Sequence, residues 1–208
     1  MVRQFRCGRV VSVALSGLVG LGFASAPPAQ ADEWQQPTRA SFWSNAAAVA
    51  VSTVYAPSAA ALRSARAGQL DFANSGLLMY CKGQWSVGAV YGDSMLTIEQ
   101  GVDNGSGGTP CVGDGPGAGP DTTGTKVNVA GGRFDVYFQG CQEGVTDAQQ
   151  DGLPEATCPA TQALYAAFGR LPAVGVKKAT FIQMQSRGMS RQQISRVIRS
   201  LRAVNSSG

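Results

Sequence analysis

The stretch from residue 125 to residue 141 constrains the fold most, because it joins two alternating apolar runs through a glycine pair. The apolar residues alternate with polar ones on both sides of Gly131 and Gly132, and they are Val127, Val129, Phe134, Val136 and Phe138. Two period-two runs joined by Gly-Gly predict a β-hairpin with a two-residue turn. One face of that hairpin needs a core beneath it, so we expect the hairpin near the middle of a disulfide-braced sheet.

The segments on either side of this hairpin predict a mixed architecture. Residues 41–55 and 58–67 favour two N-terminal helices, the second capped by Ser58 and ended by Gly68. Residues 77–98 read as a three-stranded meander with a turn at Gly92 and Asp93. Residues 160–168 and a helical hairpin over residues 174–203 are predicted to close the chain. The expected fold is therefore α+β, a mainly antiparallel sheet of about four to six strands flanked by N-terminal and C-terminal helices.

The first thirty-one residues have the pattern of a secretory signal peptide. Arg3, Arg6 and Arg9 precede a short apolar run, and Ala29-Gln30-Ala31 offers small residues at the cleavage positions. The apolar run is too short for a comfortable membrane span, so we expect cleavage and no transmembrane segment afterwards. Residues 32–208 then form one secreted domain, located outside the cell or in the envelope or periplasm.

Charge and composition restrict the kind of partner. The formal net charge of +4 includes the three leader arginines, and the remaining chain is almost neutral. This balance gives no indication of nucleic-acid binding. Alanine and glycine are abundant and arginine outnumbers lysine, which is typical of GC-rich bacterial genomes.

Four cysteines remain after the leader, and their even number in an exported chain predicts two disulfides. They are Cys81, Cys111, Cys141 and Cys158. Three pairings are open, and we favour Cys81 with Cys141, both at strand ends, and Cys111 with Cys158, both in loops. The chain contains no histidine, so we expect no histidine-bearing metal site and no histidine-dependent catalytic triad.

Two surface features are candidates for binding. Residues 102–125 are rich in glycine and proline and predict an exposed loop, which with aromatic residues at strand ends forms one candidate surface. The last predicted helix has an apolar stripe of Ile194, Val197, Ile198 and Leu201, with a capping box at Ser190 and Gln193. Its arginines lie mostly off the stripe, and they are Arg191, Arg196, Arg199 and Arg202.

This arginine face has two interpretations. It is either a solvated surface or a contact with anionic lipid or cell-wall polymer. The helical pattern also resembles a DNA-binding helix pair, but a signal peptide argues against a genomic partner.

The sequence predicts a non-catalytic secreted or envelope-associated bacterial protein that binds another macromolecule, as an adaptor or an inhibitor. The partner is a protein or a cell-envelope polymer, and no cofactor, metal or catalytic residue is predicted. The alternative is a carboxylate-dependent glycan hydrolase acting on cell-wall or extracellular polysaccharide. It would need two of Asp93, Glu99, Asp103, Asp135 and Glu143 to converge.

Overall fold

The computed structural model describes residues 41–81, 84–92, 95–103, 124–129, 131–142, 150–151 and 154–204. The chain divides into two units, Met1–Gln35 and Gln36–Gly208, and every described residue belongs to the second. The predicted signal peptide, Cys111 and residues 104–123 of the predicted loop lie outside the described residues.

Within the described ranges, helices and strands alternate in a mixed order. The helices are α1 (Phe42–Val49), α2 (Ala59–Ala65) and α3 (Arg191–Arg199), with a 3-10 turn at Glu155–Thr157. The strands are β1 (Tyr55–Ala56), β2 (Gly76–Cys81), β3 (Gln84–Tyr91), β4 (Leu96–Val102), β5 (Thr125–Val129), β6 (Gly132–Gln142), β7 (Gln150–Asp151), β8 (Ala163–Leu171), β9 (Thr180–Arg187) and β10 (Arg202–Ala203).

One antiparallel sheet dominates this architecture. Its strands lie in the order β2-β3-β4-β9-β8-β6-β5, and the short β7 pairs with β6 outside that path. A separate two-stranded sheet joins β1 to β10. The predicted mixed α+β class and the mainly antiparallel sheet are confirmed, but the sheet has more strands than the four to six expected.

The two faces of the sheet differ, because side chains alternate along each strand. The register aligns Ala89, Ile98, Met184, Ala167 and Val136 in one row across five strands, and all five are buried. We call this the inner face and the opposite one the outward face. The inner face therefore carries the core of the domain.

Helix α3 covers part of the inner face through its apolar stripe. Ile194, Val197 and Ile198 have no solvent exposure, and Leu201 is 3% exposed. Ser190 accepts a hydrogen bond from the Gln193 backbone, and the Gln193 side chain accepts one from the Ser190 backbone. The predicted capping box and packed stripe are confirmed, and each fully buried isoleucine contributes roughly 1.5–3 kcal/mol to stability.

The predicted hairpin at residues 125–141 forms, with two corrections. Val129 pairs with Gly132, so Gly132 already belongs to β6 and the turn does not consist of the glycine pair. Gly131 has a φ of 81°, which favours glycine at that turn position. The hairpin does not lie near the middle of the sheet, because β5 is the terminal strand.

The helix predicted over residues 160–168 is wrong. From Ala163 onwards these residues form β8, which lies between β6 and β9. Gly169 does not end a helix but continues the strand, where a Cβ atom would lie 2.4 Å from the Phe134 ring. The ring needs this gap, and non-local pairing has overridden the helical preference of the alanines.

The helical hairpin predicted over residues 174–203 is only half present. Residues 180–187 form β9, paired on one side with β4 and on the other with β8. Its inner-facing residues Thr180, Ile182, Met184 and Ser186 are buried at a spacing of two, which is the period of a strand. Gly188, with a φ of 68°, then turns the chain towards α3.

The N-terminal helices form but are shorter than predicted. α1 ends at Val49, because the following residues turn to hydrogen-bond with the loop between β8 and β9: Thr53 N–H donates to Lys178 and Lys178 N–H donates to Val51. α2 is capped by Ser58 as expected, but Arg66 rather than Gly68 is its left-handed C-terminal residue. The predicted meander of β2, β3 and β4 is confirmed.

Candidate functional site

The cysteines are the first predicted residues that the structure tests. Cys141 and Cys158 form a disulfide with their Cα atoms 5.6 Å apart. Our favoured pairing is therefore wrong. Cys81 ends β2, five strand steps of about 4.8 Å from β6, whereas a disulfide needs Cα atoms within about 7 Å. One of the two expected disulfides is therefore present among the described residues. The second would now have to join Cys81 to Cys111, which lies outside the described residues, so it stays a prediction.

Arg191, the first arginine of the predicted surface, is mostly buried and paired. Its side chain is 19% exposed and makes a two-pronged ion pair with Glu155, in which Nε lies 2.7 Å from one carboxylate oxygen. The guanidinium also donates to the Val136 carbonyl and lies 5.5 Å from the centre of the Tyr165 ring. Tyr165 donates its hydroxyl proton to the same carboxylate at 2.9 Å. Arg191 therefore anchors the start of α3 to the sheet.

Burial and the neighbouring carboxylate affect the titration of this cluster. Desolvation, together with the hydrogen bond to Glu155, raises the pKa of Tyr165 to about 12. The phenol therefore stays protonated at neutral pH and can donate its hydrogen bond to Glu155. The disulfide at Cys158 closes the segment that carries Glu155, three residues away.

The other predicted arginines are exposed, and the structure adds two more to them. α2 packs against α3 in an antiparallel manner: the Gln193 amide donates to the Ala65 carbonyl at one end, and the Ser58 N–H donates to the Ser200 hydroxyl at the other. This places the exposed arginines of both helices on one layer. We call the set the arginine surface: Arg63, Arg66, Arg196, Arg199 and Arg202.

The arginine surface lacks internal compensation. Neither α2 nor α3 contains an acidic residue. Within each helix region the arginines follow one another at a spacing of three residues, at which like charges repel. Arg202 is partly engaged, because its guanidinium donates to the Arg199 and Leu201 carbonyls and so caps the end of α3. The four remaining guanidiniums have no ion pair among the described residues.

The outward face of the sheet carries a second feature, a row of aromatic rings. The Phe168 ring centre lies 6.3 Å from that of Tyr137 and 6.3 Å from that of Phe181, the latter at an interplanar angle of 23°. Phe181 is 4% exposed, whereas Phe168 and Tyr137 are half-buried. A side chain at Gly124 would clash with the Tyr137 ring, so the chain passes close over it. Phe168, which is half-buried, lines an opening on this face.

That opening is a cavity of about 430 Å³, which we call the cleft. It is lined by Arg133, Asp135, Phe168, Gly169, Arg170 and Phe181. Arg133 and Arg170 occupy directly opposite positions on β6 and β8, with side chains 55% and 50% exposed. Each has an acidic neighbour, Asp135 at 3.9 Å and Asp103 at 3.4 Å. The cleft thus places two cations and the Asp135 carboxylate beside the rings of Phe168 and Phe181.

Among the described residues, the carboxylates of the outward face do not form a hydrolase-like pair. Glu99 and Asp135 lie in one row, but β9 and β8 separate them, which sets their Cα atoms about 14 Å apart. Asp103 lies four residues beyond Glu99, about 13 Å along the strand direction. Paired catalytic carboxyl groups lie about 5 to 9.5 Å apart. Asp93 and Glu143 lie outside the described residues.

Sequence reasoning missed the cleft and the contribution of α2. The outward position of Tyr137 follows from the alternation of β6, but Phe168 and Phe181 were assigned to helices. The sequence does not indicate that Arg63 and Arg66 share a layer with α3, because α2 and α3 are far apart in the chain and meet only through packing. Of the predicted loop surface, only the ends at Val102, Asp103, Gly124 and Thr125 are described.

Comparisons with known proteins give no relative. No protein-family model matches the chain, and no curated protein or solved structure matches it significantly. Among the described residues, no helix is long and apolar enough to cross a membrane. The same residues contain no cluster of three acidic or cysteine side chains that could hold a metal ion.

Proposed function

We propose that this chain is a non-catalytic secreted or envelope-associated bacterial protein that binds another macromolecule through the cleft. Export is inferred from residues 1–31 and is supported by the Cys141–Cys158 disulfide, since disulfides persist in oxidising compartments. The binding surface is inferred from one observation: two half-exposed arginines opposite one another beside the half-buried ring of Phe168.

This arrangement favours ligand binding over stability. Like charges directly opposite on neighbouring strands destabilise a sheet, and both arginine side chains stay half-exposed beside their acidic neighbours, Asp135 at 3.9 Å and Asp103 at 3.4 Å. An incoming anion would be held by both guanidiniums, which match carboxylates in a two-pronged geometry. The arginine pair therefore suits a ligand that carries carboxylate groups.

The ring beside the arginines narrows the ligand class. Binding sites combine an apolar or aromatic wall with a few converging polar groups, and a planar ring can stack against the apolar face of a sugar. The cleft lies on the outward face of the sheet, and its two arginine side chains are half-exposed there. We infer that the macromolecule is a polysaccharide bearing carboxylate groups, a polymer of the envelope or the surrounding medium.

The alternative of a glycan hydrolase has one supporting observation. Burial raises the pKa of Glu99, as is common for a catalytic acid. The second carboxylate that the reaction requires lies too far away among the described residues, so binding is the better-supported function.

Binding to a soluble polyuronate, compared with a neutral polysaccharide of similar length, tests this proposal. We expect wild-type protein to bind the polyuronate, and Phe168→Ala and Arg170→Gln each to weaken binding at least ten-fold, because each removes one half of the site. Arg187→Gln is the matched control. It removes the same charge from the same face, roughly 20 Å away along β9.

Three outcomes would contradict the proposal: equal binding of both polymers, no binding of either, or the same loss in Arg187→Gln as in Arg170→Gln. Release of new reducing ends from the polyuronate, abolished by Glu99→Gln, would favour the hydrolase instead. Thermal unfolding of each variant separates loss of the site from loss of the fold.

A further inference from the structure

The arginine surface is a second charged feature, on the opposite side of the sheet from the cleft. α3 packs on the inner face, since Arg191 reaches the Val136 carbonyl and the Tyr165 ring there, whereas the cleft opens on the outward face. The arginine surface therefore needs an explanation of its own.

Helix stability accounts for part of its composition. Arg63, Arg196 and Arg199 lie in the last turns of their helices, where a cation interacts favourably with the helix dipole. That effect does not require the helices to lack acidic residues, and the antiparallel packing spreads the arginines over the layer, with Arg63 and Arg66 towards the start of α3 and Arg199 and Arg202 at its end. Without a counter-charge the five cations repel one another, which points to a partner that supplies the negative charge.

The spatial arrangement of the five cations identifies the kind of partner. Three follow α3 and its end, and two follow α2, so they form two rows whose helix axes are about 8–10 Å apart. A single polyanionic chain would contact one row, whereas a flat anionic surface contacts both at once. The other exposed side chains of α2 and α3 are small or polar, namely Ala59, Ala60, Ser64 and Gln192, so nothing here inserts into an apolar layer.

We propose that the arginine surface docks this protein on a bilayer of anionic phospholipid, through the phosphate groups of the lipids. The contact is peripheral and electrostatic, so salt reverses it. Arginine suits this role because its guanidinium binds phosphate oxygens in a two-pronged manner and keeps its charge at every physiological pH.

Sedimentation with lipid vesicles tests the docking. The probes are vesicles containing phosphatidylglycerol and vesicles of phosphatidylcholine alone. We expect wild-type protein to partition onto the first and not the second at low salt, and to be released at high salt. Arg196→Gln/Arg199→Gln should weaken partitioning by roughly twenty- to thirty-fold, at about five-fold for each charge removed. Arg63→Gln/Arg66→Gln should weaken it by a similar factor, because both helices face the bilayer.

The matched control is Lys126→Gln/Arg187→Gln, which removes two cations from outside the arginine surface and should retain wild-type partitioning. The proposal is overturned by equal loss in this control, by partitioning that survives high salt, or by no partitioning at low salt. It is also overturned if only the α3 variant loses binding. The same holds if soluble polyphosphate displaces the vesicles with an affinity equal to that of the vesicles themselves. The variants in α2 and in α3 change only exposed side chains, so we expect both to fold normally. Unchanged melting temperatures verify this.

Discussion

Glu99 and Gln100 are neighbours in β4 and face opposite environments. The Gln100 amide is buried on the inner face, where it accepts a hydrogen bond from the Tyr55 N–H at 2.8 Å and donates one to the Tyr55 carbonyl at 2.9 Å. It thereby pairs with β1 as a strand backbone would, and both of its polar ends are satisfied. Glu99 points outward and is half-buried, and desolvation raises the pKa of its carboxyl.

The raised pKa of Glu99 predicts how stability depends on pH. The native state binds this proton more tightly than the unfolded state, so ionisation of Glu99 lowers the free energy of unfolding as pH rises above the ordinary value of 4.5. Glu99→Gln removes this penalty. We expect the variant to be more stable than wild type at neutral pH, and the difference to vanish below about pH 4. Denaturant unfolding across this pH range measures it.

Asp71 provides a control of opposite sign. Its carboxylate accepts hydrogen bonds from the Asn74 side chain at 2.7 Å and from the Ala73 backbone at 2.9 Å, and chiefly the first lowers the pKa of Asp71. The stability it contributes is present at neutral pH and is lost as pH falls through its lowered pKa. Asp71→Asn should therefore be less stable than wild type at neutral pH. A Glu99→Gln variant that behaves like Asp71→Asn would contradict the assignment.

At the scale of elements, the sequence predicted those helices and strands that depend on residues close together in the chain, and it failed for those that depend on distant contacts. The start of α3 follows from Ser190 and Gln193, which interact within one turn, and its buried stripe follows from a spacing of three and four. β8 depends instead on Phe134, a partner 35 positions earlier whose ring occupies the space above Gly169. Nothing near Gly169 in the sequence distinguishes that role from the end of a helix.

The same distinction between local and distant contacts explains which parts of the candidate surfaces were predicted. Arg196, Arg199 and Arg202 were predicted because they follow a visible apolar stripe in the sequence, although Arg202 lies in β10, just beyond α3. The cleft was not predicted, because it depends on strand pairing. The register of β6 and β8 places Arg133 opposite Arg170, and the pairing of β8 with β9 brings Phe168 beside Phe181. The Cys141–Cys158 pair was missed for a similar reason, since the strand order sets the distance between cysteines.

The packing of α3 predicts a large contrast between its two faces. Ile198→Asp would bury an unpaired carboxylate at a position with no solvent exposure, and we expect a loss of roughly 3–5 kcal/mol in the free energy of unfolding. Arg196→Gln on the exposed face should change it by less than about 0.5 kcal/mol. Chemical denaturation measures both. Equal, small effects would mean that α3 does not dock on the sheet.

At the scale of the whole domain, the sheet separates the two proposed surfaces. The row of Ile98, Met184 and Ala167 faces the core beneath the helices, and the row of Glu99, Gln183 and Phe168 faces the opposite way. β4, β9 and β8, which carry these rows, each have hydrogen-bonded neighbours on both sides, so the sheet acts as a fixed spacer between the helices and the cleft. A domain docked on lipid through α2 and α3 would then present the cleft away from the membrane, as an adaptor requires.

This opposition predicts that the protein links an anionic bilayer to a carboxylated polysaccharide. Beads carrying polyuronate should retain fluorescent phosphatidylglycerol vesicles when wild-type protein is present and not when it is absent. Arg170→Gln should abolish retention because it weakens polysaccharide binding in the cleft. Arg196→Gln/Arg199→Gln should abolish it because it weakens the lipid contact. Arg187→Gln should still retain the vesicles. If the protein binds beads and vesicles separately yet never holds them together, the two ligands compete for one surface. The arrangement on opposite faces would then be wrong, even though each binary interaction is real.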